Sequence, residues 1–123
     1  MITGVVTSSH ESIIRLRVRG GGGHEDTVDA AIDTGFDGFL TLPPRLVSDL
    51  VLQFAGTTRA TLGDGSETQM DVFEAVALWD GHERHVVVLA GGGGALVGMS
   101  MLAGCRVTLD VEEGGAVVIE ALR

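Results

Sequence analysis

From Ser12 to Arg19 apolar and polar residues alternate: Ile14, Leu16 and Val18 fall on one side, Arg15, Arg17 and Arg19 on the other. A period of two is that of a strand with one face buried. Extended runs are also expected at Ile2 to Thr7, Thr27 to Ile32, Phe39 to Leu42, Thr57 to Leu62, Gln69 to Leu78, Arg106 to Val111 and Ala116 to Leu122. Val86-Val87-Val88-Leu89, within His85 to Ala90, is apolar without interruption and predicts a strand buried on both sides. Two short stretches read as helices instead. Pro43 and Pro44 suit a first helical turn running to about Leu52, with Leu46, Val47, Leu50 and Val51 on one face. Met99 to Gly104 follows Ala95-Leu96-Val97-Gly98 and is closed by its glycine.

Glycine clusters punctuate these runs. Gly20 to Gly23 reads as a hairpin tip; without a following Lys-Ser/Thr and helix, it is a poor phosphate loop. Gly63-Asp64-Gly65-Ser66 and Trp79-Asp80-Gly81-His82 are turn sequences, with Trp79 as an anchor. Gly91 to Gly94 forms another loop, and Glu112 to Gly115 joins a terminal hairpin. Eight or nine short strands with regular turns and two short helices predict an all-β, closed-barrel fold.

Composition narrows the possibilities. A chain of 123 residues suits one domain, residues 1–123, and 45% apolar content can build its core. Seventeen acidic residues against eight arginines and no lysine give a net charge of −9, which disfavours nucleic-acid binding. Cys105 is alone, so no intrachain disulfide can form; a buried thiol and a cytoplasmic location are expected. MITGVVTSSHES lacks a basic region followed by an apolar block, so no secretory leader is expected. No apolar run approaches the ~18 residues of a membrane helix, so no membrane partner is expected.

The titratable residues offer few sites. His82 and His85, three apart on a strand, point to opposite faces and make a poor metal pair; no metal or cofactor is expected. His10 and His24 are expected to be exposed, and Met99 and Met101 to serve the core. No Gly-x-Ser-x-Gly nucleophile elbow occurs. Asp33-Thr34-Gly35 is different, because Ala30-Ala31-Ile32 places its acid at the end of an apolar strand. The tripeptide alone reads first as an Asx turn ending that strand.

Taken together, three pieces resemble retropepsin-like aspartic proteases, over roughly residues 10 to 111. They are Ile32-Asp33-Thr34-Gly35-Phe36 followed by Phe39-Leu40-Thr41-Leu42-Pro43, the turn Leu62-Gly63-Asp64-Gly65-Ser66, and Leu96-Val97-Gly98-Met99-Ser100-Met101-Leu102. The likeness is nearest to a small prokaryotic branch marked by Asp-Thr-Gly-Phe. It implies a barrel of the acid-protease type and a homodimeric endopeptidase acting on peptide or protein substrates. Asp33 would face Asp33 of a second chain, the two carboxyls sharing one proton and activating a water. Thr34 would bond across the twofold axis, and Gly35 would let the backbone approach the acids. Leu62, Gly63, Asp64, Gly65 and Ser66 would form a flap over substrate. Leu96 and Val97 would pack behind the loop, and Gly98 would permit close chain passage. Asp37 is expected to cap the loop. Phe36 departs from relatives bearing Ala, Ser or Thr there; it cannot bond the acid, so the shared proton is expected to persist to higher pH than in hydroxyl-bearing relatives. Ser100 stands where several relatives carry an acid. The other functional class compatible with this pattern is a dimeric binding or scaffold module that cleaves nothing efficiently.

Overall fold

The structure is a computed structural model that describes residues 1–61 and 64–123. Ten strands occur among these residues: β1 (Ile2–Val6), β2 (Ser12–Arg19), β3 (Glu25–Ile32), β4 (Leu40–Leu42), β5 (Gln53–Thr61), β6 (Glu67–Trp79), β7 (His82–Ala90), β8 (Ala95–Val97), β9 (Cys105–Leu109) and β10 (Ala116–Ala121). Two short helices, α1 (Pro44–Asp49) and α2 (Met99–Leu102), follow β4 and β8. A single 3-10 turn at Gly21–Gly23 joins β2 to β3, where the sequence predicts a hairpin tip.

The sheet closes on itself. Its order runs β5-β6-β7-β4-β8-β3-β2-β1-β10-β9, and β2 also pairs with β6. Strands β6, β7, β4, β8, β3 and β2 therefore form a six-stranded barrel, as the all-β closed-barrel expectation requires. Strand β5 extends the sheet beyond β6, and β1, β10 and β9 extend it beyond β2. Closure hides most strand edges, which otherwise invite pairing with other chains. Arg19 and Glu83 add an ion pair of 2.8 Å from β2 to β7 across β6.

Period-two patterning fills the interior. Leu16, Val18, Ala30, Leu40, Ala77, Val88 and Val97 are buried, while Arg15 and Arg17 are exposed. Each fully buried aliphatic side chain contributes about 1.5–3 kcal/mol relative to exposure. Trp79 is buried at the end of β6, beside the Asp80-Gly81 turn into β7, in the anchoring position its sequence context suggests.

Four local expectations are corrected. Of the two methionines expected in the core, Met101 is buried but Met99 is 48% exposed. Strand β7 is not buried on both sides: Val86 and Val88 point inward, but Val87 is 45% exposed, because no element covers that outer face. Helix α1 ends before Leu52, and Val51 leaves the apolar face with φ at 52°. The Val51 amide donates to the Ser48 carbonyl and the Leu52 amide to the Val47 carbonyl, a helix stop that turns the chain into β5. Cys105 is half-buried against the core rather than enclosed. Among the described residues no helix is long and apolar enough to cross a membrane.

Candidate active site

Strand β8 sits between two strands that are consecutive in sequence. It runs parallel to β3, with Ala31 opposite Leu96 and Ile32 opposite Val97, and antiparallel to β4, with Leu40 opposite Val97. The segment from Asp33 to Phe39 must therefore cross the end of β8 to reach β4. Asp33 begins this crossing; its amide donates to the Val97 carbonyl at 2.9 Å. The Gly98 amide donates to the Phe39 carbonyl at 3.0 Å, and the Met99 amide to the Phe36 carbonyl at 2.8 Å. The Ser100 amide reaches the Gly38 carbonyl at 3.1 Å. Backbone hydrogen bonds thus tie the loop to β8 and to the first turn of α2, so its shape is set by elements that are themselves in the core.

Asp33 is half-buried, and its Oδ1 accepts the Gly35 amide at 2.9 Å, the Asx turn that the bare tripeptide suggests. A side chain at Gly35 would bring a Cβ to 3.3 Å from that same oxygen. Thr34 is exposed. Val97 and Leu96 diverge: Val97 is buried in the core behind the loop, whereas Leu96 lies on the outer face beside Ala31 and Thr41. Gly98 has no room for a side chain, since a Cβ would strike the Gly38 carbonyl oxygen and come within 2.6 Å of the Phe36 ring. The Ser100 hydroxyl donates to the Asp37 carbonyl at 2.5 Å, so the cap in this loop is provided by Ser100 with the Asp37 main chain as acceptor.

A groove of about 790 Å³ opens beside this loop. One wall is Gly35 to Phe39 with Ser100; the facing wall is Thr58 to Thr61 of β5 with Val72, Val87 and Leu89. Residues directly opposed across neighbouring strands share a face, so Ala31, Leu96, Thr41, Leu89 and Val72 form one uncharged row across five strands. The row runs on through Ile13 to Val5 on the other side of β3. Asp33 lies two residues beyond Ala31, at the edge of this row. In a chain of net charge −9, an uncharged strip bordered by a carboxylate is a setting for an apolar, extended ligand.

The β5–β6 hairpin projects beside the groove. Leu62 and Gly63 of the expected flap lie outside the described residues. Beyond them Asp64 Oδ1 accepts the Ser66 amide at 2.9 Å and its hydroxyl at 2.5 Å, closing the turn through Gly65. Those bonds, the hydroxyl first and the amide second, hold the Asp64 carboxyl below its usual range.

Two residues support the loop through contacts that residue type alone does not reveal. Thr41 is buried, and its Oγ1 accepts the Leu96 amide at 3.1 Å, joining β4 to β8 behind the loop. Arg84 donates to the Met101 carbonyl at 3.0 Å and sits 5.7 Å from the centre of the Phe39 ring. It therefore braces α2 and the far end of the loop from β7. Only its inward parity opposite Ala77 offered a signal in the sequence. His82 and His85 fall on opposite faces of β7, and no cluster of three or more His, Cys, Asp or Glu side chains suited to a metal occurs among the described residues.

No protein-family model and no curated protein matches this sequence. Among solved structures, the solution structure of the Simian Foamy Virus (mac) protease is similar with a TM-score of 0.49 and 21% identity, over 72% of this chain and 90% of that one.

Proposed function

We propose that the chain is one half of an aspartic endopeptidase, whose Asp33 meets Asp33 of a second copy to hydrolyse peptide bonds. The observation that carries this reading is the presentation of Asp33. Its loop is fixed by main-chain bonds to β8 and α2, and the acid stands at the edge of the uncharged row Ala31, Leu96, Thr41, Leu89 and Val72, beside a groove that Gly35 and Phe36 line. The other carboxylate of the Asp33 loop is Asp37, which is exposed and lines the groove. In this reading the second acid of the dyad comes from a second chain.

In that dimer two carboxyls about 3 Å apart would share one proton, because both cannot easily ionise. The ionised member takes a proton from a water held between them, and the water oxygen attacks the scissile carbonyl carbon. The protonated member donates to the carbonyl oxygen. Collapse of the tetrahedral intermediate transfers a proton to the departing amine. Gly35, whose amide already bonds Asp33, orients one carboxyl oxygen; Thr34, exposed beside it, would contact the partner loop. The β5–β6 hairpin, including Asp64, Gly65 and Ser66, would cover the peptide and exclude water.

A scaffold reading draws on one observation: Phe36 brings no hydroxyl to Asp33, whose carboxylate is bonded only by Gly35 among the described residues. Cleavage of a diverse peptide library from about pH 3 to 7, with Asp33→Asn in parallel, separates the two readings. The protease reading expects cleavage by the native protein and none by Asp33→Asn. Equal cleavage by both, or a native dimer that binds peptides and cleaves none, contradicts it.

A further inference from the structure

The Phe36 ring occupies an unusual position. Its main chain is held at both ends, the amide donating to the Asp33 carbonyl at 3.2 Å and the carbonyl accepting from Met99. The ring lies across two glycines. A Cβ on Gly38 would come within 2.6 Å of Phe36 Cζ and 2.7 Å of Cε1, and a Cβ on Gly98 within 2.6 Å of Cδ2. These two contacts differ in kind. At Gly98 the added atom would also meet the carbonyl oxygens of Gly38 and Phe36, so the main chain itself forbids a side chain there. At Gly38 the three nearest atoms all belong to the ring, and no positive φ demands glycine. Removing the ring thus removes the three nearest obstacles to a methyl group at Gly38. With the ring present, the methyl would force it outward, and the space on that side is the groove, which Phe36, Gly38 and Ser100 all line.

We infer that Phe36 is a specificity-determining residue: its ring, kept low by the bare backbone of Gly38, sets the depth of the groove next to Asp33 and so the size of the substrate side chain accepted there. The inference rests on the reading of this groove as a peptide site. The ring itself supplies an apolar floor, so the favoured side chain is aliphatic and of moderate size. A large aromatic side chain would compete with Phe36 for the same volume.

The test is a double-mutant cycle on Phe36→Ala and Gly38→Ala. A peptide cleaved by the native protein is made with Leu or Trp in turn at each position flanking the scissile bond, and the ratio of kcat/KM values is read for each pair. At one position the native protein is expected to favour Leu, and Phe36→Ala to shift the ratio toward Trp by about tenfold. Gly38→Ala alone is expected to shift it further toward Leu and to lower the melting temperature. Adding Phe36→Ala to Gly38→Ala is expected to restore the melting temperature and give the ratio of Phe36→Ala. Phe36→Leu supplies an intermediate ratio and guards against loss of folding in the Ala variant. Ratios that stay unchanged across the set overturn the inference while leaving the protease reading intact, as does a double variant that keeps the Gly38→Ala ratio. The same Leu and Trp peptides are also titrated onto Asp33→Asn variants of the set. If no peptide is cleaved but binding shows the expected ratios, the protease reading fails and the assignment of Phe36 stands. Absence of both cleavage and binding overturns both.

Discussion

Asp64 and Ser66 show how one pair of short side chains can make a turn depend on pH. The Ser66 hydroxyl and amide both donate to the Asp64 carboxylate and hold its titration below the usual range. A carboxyl depressed in the folded chain contributes stability above its unfolded pKa, and the contribution is lost as pH falls through the lower folded value. The turn should therefore stay closed over most of the range about pH 3 to 7 in which a shared-proton dyad works, and loosen at the acidic end. Ser66→Ala removes the larger of the two bonds, so the Asp64 midpoint, followed by carboxyl NMR shifts, is expected to rise toward its ordinary value. An unmoved midpoint would mean that the hydroxyl bond is absent in solution. At this scale the sequence was partly legible. Asp33 and the Asp64 turn announced themselves by residue type and neighbours. Thr41 and Arg84 did not, because their importance lies in a single hydrogen bond to Leu96 and to Met101, partners 55 and 17 positions away.

Elements were more readable than their ends. The arginine-alternating strand β2 has the same bounds in the structure as in its pattern, since side-chain period and pairing agree over its whole length. Strands β5 and β6 begin earlier than their apolar residues suggest, because cross-strand pairing extends a hairpin through Gln53 to Phe54 and Glu67 to Thr68 regardless of hydropathy. Strand β7 misled for the opposite reason: an unbroken apolar run looks doubly buried, yet half of it faces an open groove. Helix α1 is cut short by a feature that composition conceals. Val51 adopts φ of 52° at the position where a helix stop usually places glycine. A β-branched residue there costs about 1–2 kcal/mol, and at 54% exposure Val51 recovers little by packing. Val51→Gly is expected to stabilise the chain by about 0.5–1 kcal/mol after the entropy that glycine gains in the unfolded state. A higher denaturant midpoint at unchanged slope would show it; a lower midpoint would mean that the valine side chain contributes packing that outweighs its strain.

On the scale of the whole molecule, closure of β2 on β6 makes the barrel, and the insertion of β8 between β3 and β4 makes the site. The closed all-β class follows from turn spacing and strand count. The insertion is not legible from local pattern, because a three-residue strand such as β8 is chosen by its neighbours rather than by its own sequence. One carboxylate at the end of one crossing loop remains half of a mechanism, and its completion by a second copy is the central claim. Mixing tests this directly. Native chain and Asp33→Asn chain are unfolded together, refolded at fixed total concentration in varied proportion, and assayed on one peptide. If each active unit needs Asp33 from two chains, activity falls as the square of the native fraction. Activity that falls in simple proportion to that fraction would show that each chain works alone, and would contradict the dyad.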